Sequence, residues 1–216
     1  MGILENKARA RLFYKYLSKV YDEINPFVWN EEMRDRALEW FDVGPEDVVL
    51  DVGCGTGFAT EGLLSHTEHV HGLDQSAHQL ERAFSKFGKR GPVTFYRGDA
   101  ERLPFGEDSF DALWSSGSIE YWPNPVAALR EFRRVVEPGG TVLVVGPDYP
   151  NSTLFQRLAD AFEHHIQQRR PGTPRAITTV ATVPGDPDAE SGAGTEASVE
   201  TGKPRSSEAA DDSVEA

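Results

Sequence analysis

Cysteine occurs once in the 216 residues, as Cys54. A single thiol excludes an internal disulfide and fits a reducing, cytoplasmic compartment. Lysine is scarce as well, six against sixteen arginines, while Asp and Glu number 35 and the formal net charge is −13. Such an acidic chain repels phosphate backbones, so nucleic acid is not an expected partner. Many acids with few lysines fit either adaptation to high salt or a GC-rich coding sequence that favours arginine. No apolar run approaches the ~18 residues of a membrane-spanning helix, and no signal peptide is expected. Aromatic residues stop at Phe162, and residues 171–216 contain no Leu, Met, Phe, Tyr, Trp or Cys. Residues 176–216 carry nine acids against two bases. That composition cannot offset chain entropy by burial, so 171–216 is expected to be a disordered acidic tail.

The first 170 residues are patterned. Leu12, Phe13, Tyr16, Leu17 and Val20 fall at helical spacing among five bases, and a second helix is expected from Asn30 to Trp40. Strands are expected at 48–53, 69–74, 93–99, 111–117 and 141–147. Between them, Ser76 and Gln79 form a capping box, and Asn124-Pro125 is an N-cap followed by proline at the first helical position. A last helix is expected over 152–168, on Leu154, Leu158, Phe162 and Ile166. Strands alternating with helices predict an α/β fold, a doubly wound parallel sheet of Rossmann-like type. The organisation expected is a helical lid over 1–45, a cofactor-binding domain over 46–170 and the tail.

"LDVGCGTGFAT" leaves a strand at Asp51 and turns through Gly53, Gly55 and Gly57 into a helix. A dinucleotide fingerprint needs its third glycine at 58, where this chain has Phe58, and no P-loop lysine follows. A dehydrogenase is therefore the weakest of the readings. Instead "DVGCGTG" resembles the first motif of class I S-adenosylmethionine-dependent methyltransferases, with Asp74 ending the next strand, "GDAERLPF" after the third and "PGG" before the fifth. The resemblance implies S-adenosylmethionine as cofactor. It places Gly53, Gly55 and Gly57 against it, Asp51 at its methionyl end, Asp74 at the ribose, Asp99 and Ala100 at the adenine, and Gln75 and Ser116 among the cofactor-binding residues. The six histidines make no metal pattern, and no metal is expected.

"FYKYLSKVYDEINPFVW", "LDQSAHQL", "SSGSIEYWPNP" and "GPDYP" carry a narrower resemblance, to the methyltransferases of methyl-phytyl- and methyl-solanesyl-benzoquinol. That similarity covers about residues 12–155 and implies C-methylation of a prenylated benzoquinol or a related isoprenoid quinol. Glu120, between Ile119 and the pair Tyr121-Trp122, is either the general base for the ring hydroxyl or a solvent-facing turn residue. Tyr121 and Trp122 would wall the ring, with Ser116 or Ser118 orienting a hydroxyl. Tyr14, Tyr21, Asn25 and Trp29 would face the ligand from the lid. The five bases of the first helix fit peripheral contact with an anionic membrane, or a helix that only packs on the sheet. The oligomeric state is not legible.

The pattern breaks after about Phe162. "AITTVATV" (176–183) suits one strand with nothing to pair with, so the closing antiparallel hairpin of the family is expected to be missing, through truncation or a frame change. Two alternatives to quinol methylation follow: a methyltransferase for another small lipophilic phenol, or a cofactor-binding protein without catalysis.

Overall fold

The computed structural model describes residues 30–88, 93–147, 166–169 and 176–184. The helix expected over 7–20, the acidic tail beyond 184, and Tyr14, Tyr21, Asn25 and Trp29 lie outside the described residues.

Asn30 caps the first described helix, α1 (Glu31–Leu38), by accepting from Met33 N, and two acids in the first turn complement the helix dipole. It is no loose cover: Ala37, Leu38 and Phe41 are buried with Val49 and Trp114 of the sheet. β1 (Val48–Val52), α2 (Phe58–Leu63), β2 (His69–Asp74), α3 (Ala77–Phe87), β3 (Val93–Arg97) and β4 (Phe110–Ser116) then alternate as expected. A short 3-10 turn at Ile119–Tyr121 leads to α4 (Pro125–Val135), whose N-cap Asn124 accepts from Ala127 N. β5 (Val136–Pro147) follows directly, and β6 (Ile166–Arg169) and β7 (Ala176–Thr182) complete the described elements.

The seven strands lie in the order β3-β2-β1-β4-β5-β7-β6. The first five are parallel, and β7 runs antiparallel to both β5 and β6. Alternate residues face opposite sides of a strand, which divides the core in two. Leu50, Val52, Leu113, Val142 and Val144 meet Ala128, Leu129, Phe132 and Val135 of α4 on one face. Val49, Val70, Trp114, Leu143 and Val145 pack on the other with α1 and with Ala59 and Leu63 of α2. The α/β doubly wound architecture agrees with the sequence.

The hairpin does not agree: the antiparallel pair expected to be missing is present. β7 pairs with β5 over seven residues from Thr141↔Thr182 to Pro147↔Ala176, and with β6 from Ile166↔Ala181 to Arg169↔Thr178. The sheet thus extends past residue 170. β-Branched residues give β7 its strand preference, but its partner reads "IQQR", with one apolar residue and no alternation to reveal it. Ile166 had instead completed a helical spacing, so the expected helix ran into β6.

Phe132 is fully buried and meets the Trp122 ring edge-on at 5.4 Å between centroids. Phe132→Ala should destabilise the fold by about 3–5 kcal/mol, read as a lower urea midpoint with an unchanged slope.

Candidate active site

The carboxyl ends of β1, β2, β3 and β4 form one rim, and the strand order reverses between β1 and β4. In open α/β sheets ligands lie in that crevice. The turn after β1 is fastened to the end of β2: Gly53 N and Cys54 N both donate to Leu73 O, at 2.7 and 3.1 Å. Asp74 accepts from Gly55 N at 3.0 Å through one carboxylate oxygen and from Ser76 N at 2.7 Å through the other. Gly53 has φ +76°, and a Cβ there would come within 2.6 Å of Ser118 Cβ. At Gly57, φ +86°, a Cβ would collide with the Phe87 ring. Both positions need glycine for torsion and for space.

Asp51, 1% exposed, accepts from Thr60 Oγ1 at 2.6 Å. Burial pushes its carboxyl up to about 7, the Thr60 hydrogen bond opposes that, and the Asp74 charge adds to it. Asp74 is raised too, chiefly by burial. Cys54 is buried in the turn, and burial with the charges of Asp51 and Asp74 pushes its thiol well above its ordinary value. It is held as an inert thiol.

The loop after β3 carries Asp99, which accepts from Glu101 N at 3.1 Å, and Ala100, which is buried against the α4 side of the core. Two clamps fix this loop. Glu101 accepts from Asn124 N at 3.0 Å. Glu131 accepts from Leu103 N at 2.8 Å and pairs with Arg134, whose guanidinium donates to Phe105 O and Leu103 O. The Arg134 hydrogen bond, ahead of other causes, holds the Glu131 carboxyl below its usual range.

At the end of β4, Ser116 accepts from the Trp114 indole at 3.1 Å. Ser115 donates to Val52 O at 2.8 Å and lies 2.7 Å from the Ser118 hydroxyl. Glu120 occupies the backbone of the 3-10 turn, and its side chain lies outside what the structure describes. Tyr121 is half-buried, and Trp122 packs against the core through Phe132. Asp51, Gly53, Gly55, Gly57 and Asp74 thus come together at one turn, with Gln75 following Asp74 on the same rim and Asp99-Ala100 one strand further out. Thr60, Ser115 and the Glu131–Arg134 clamp escaped the sequence reading, whereas Ser118 was named there only as a candidate to orient a substrate hydroxyl. Thr60's one signal was its place on the first turn of the helix after the glycines.

Strand order, glycine turn and a carboxylate ending β2 are those of the Rossmann-like class I methyltransferase fold. Residues 50–144 of the chain belong to the methyltransferase domain family. It is 47% identical over 161 residues to 2-methyl-6-phytyl-1,4-hydroquinone methyltransferase 1 of Oryza sativa subsp. japonica, covering 73% of this chain and 48% of that one. It is 31% identical over 159 residues to the demethylmenaquinone methyltransferase of Staphylococcus aureus strain JH9, covering 71% and 66%. The chain therefore spans about half the length of the plant relative. A chain from the complex of the Haloferax volcanii Trm112 methyltransferase activator with a methyltransferase superposes with TM-score 0.66 at 21% identity, over 80% of this chain and 96% of that one.

Family membership implies S-adenosylmethionine as methyl donor, and the residues fit it. Side chains at the turn offer carboxylates and hydroxyls, suited to ribose hydroxyls and to a cation, with no lysine or arginine among the bonds described there.

Because Asp51 titrates near 7 when folded and near 3.8 when unfolded, its contribution to stability is full below about pH 3.8 and is lost as pH rises through about 7. In ligand-free protein, Asp51→Asn removes that loss. The melting temperature of the variant relative to wild type should climb between pH 5 and 8, and a flat difference would contradict the assignment.

Proposed function

We propose that the protein is an S-adenosylmethionine-dependent C-methyltransferase of a prenylated benzoquinol or a related isoprenoid quinol. The observation that carries this is the 47% identity over 161 residues to the rice methyl-phytyl-hydroquinone methyltransferase. The bound cofactor supplies an electrophilic methyl group on a sulfonium. The chain's task is then to orient the donor and the ring in line and to remove a proton, with no protein nucleophile required.

In this reading Asp74 and Gln75 take the ribose hydroxyls, Asp99 and the Ala100 backbone the adenine, and Asp51 the methionyl end. Gly53, Gly55 and Gly57 allow close approach, and Ser116 stands beside them. Glu120 is the base: by taking a phenolic proton it would make the neighbouring ring carbon nucleophilic toward the methyl group that the cofactor would supply, with the ring C–H proton lost afterwards to restore the aromatic ring. Tyr121 and Trp122 bound the ring from the 3-10 turn, and Tyr21, Asn25 and Trp29 from the N-terminal segment.

The acidic, lysine-poor composition supports a salt-adapted protein, and the single cysteine supports a cytoplasmic one. No helix among the described residues is long and apolar enough to cross a membrane. The basic N-terminal segment would give peripheral contact where prenylated substrates dissolve.

The test is methyl-labelled S-adenosylmethionine with a reduced prenylated quinol at high potassium chloride. Label should enter the quinol fraction, and Glu120→Gln should cut kcat by about a hundredfold or more while cofactor affinity holds. Label in soluble phenols alone, or cofactor bound with no acceptor methylated, would overturn the quinol assignment.

A further inference from the structure

Ser118 heads the 3-10 turn, a position where a serine side chain commonly accepts from the turn's own amides. Here its side chain makes no such bond. The hydroxyl points inward, 9% exposed, to Ser115 Oγ at 2.7 Å. A serine hydroxyl has one proton to give. Ser115 gives its proton to Val52 O, an oxygen that can only accept, at 2.8 Å. In the contact between the two serines Ser118 must therefore be the donor, and its remaining capacity is acceptance alone. This fixed acceptor stands against Gly53, the first residue of the turn.

We infer that Ser118 is a positioning acceptor for the α-ammonium of the cofactor's amino-acid end, its direction set by Ser115. The inference rests on the cofactor reading above and deepens it. Strand order supplies the placement. Asp99 follows β3 and Asp74 ends β2, so the adenosine lies on that side of β1. The amino-acid end then extends across Gly53 toward β4, where Ser118 is found. The nearby oxygens (Asp51 carboxylate, Ser118 hydroxyl) accept hydrogen bonds, and the α-ammonium is the cofactor's charged donor.

Binding of S-adenosylhomocysteine and of its deaminated analogue to the full chain, by calorimetry, tests this without turnover. Ser118→Ala should weaken the first by about tenfold or more and leave the second within about twofold, because only the first has the ammonium. Ser115→Ala keeps the Ser118 oxygen but frees its proton to face the ligand, and should also weaken S-adenosylhomocysteine selectively. Thermal melts show whether each variant is folded, and either variant alone carries the test. Equal losses on both ligands would overturn the inference. So would unchanged S-adenosylhomocysteine affinity with a raised KM for the quinol, which would assign the acceptor to the substrate hydroxyl. Wild-type protein that binds neither ligand would instead sink the cofactor reading itself.

Discussion

One carbonyl oxygen, that of Leu73, holds the site in shape. It accepts from both Gly53 N and Cys54 N, while the next residue, Asp74, accepts from Gly55 N. Three successive turn residues are thereby anchored to the end of the neighbouring strand, and the turn cannot relax without unpairing β2. This is what makes the positive φ of Gly53 obligatory, because any other path would pull the amides off their acceptor. It also leaves two buried carboxylates beside the turn: burial raises both, and the Asp74 charge raises Asp51 further. The site is thus strained electrostatically in a direction that favours arrival of positive charge.

Most of this was legible in the sequence because each part leaves a local mark. Strands buried on both faces read as apolar runs, glycine spacing reports torsions, and acids at strand ends stand out. The capping box at Ser76 was half right: Ser76 accepts from Gln79 N at 3.4 Å, but the Gln79 side chain is buried with its oxygen unpartnered among the described residues. What stayed hidden is contact between segments distant in the chain. Ser115 and Val52 are 63 residues apart, and Leu103 and Glu131 are 28 apart. Such pairs join serines, arginines and acids that a sequence scores as ordinary surface. The closing hairpin was missed for a related reason, since a strand such as "IQQR" is specified by its partner more than by its own side chains.

The two sides of the sheet divide the work. On one, α1 and α2 pack beneath the glycine turn and bury its acid through Thr60. On the other, α4 both fills the core and, through Glu131 and Arg134, fixes the loop that carries Asp99. A loop lacking a helix of its own is thus held by the next helix in the chain. The rim can stay open to a large ligand while its polar groups remain in register.

Strand β7, latest in the chain among the described strands, sits between β5 and β6 rather than outside them. During synthesis the parallel half, through Pro147, can assemble first, but its border at β5 stays unpaired until residues 176–182 emerge. Until then that border is a row of free amides and carbonyls able to recruit another chain. Completion of the sheet, and protection from self-association, therefore depends on a short polypeptide stretch made after all five parallel strands.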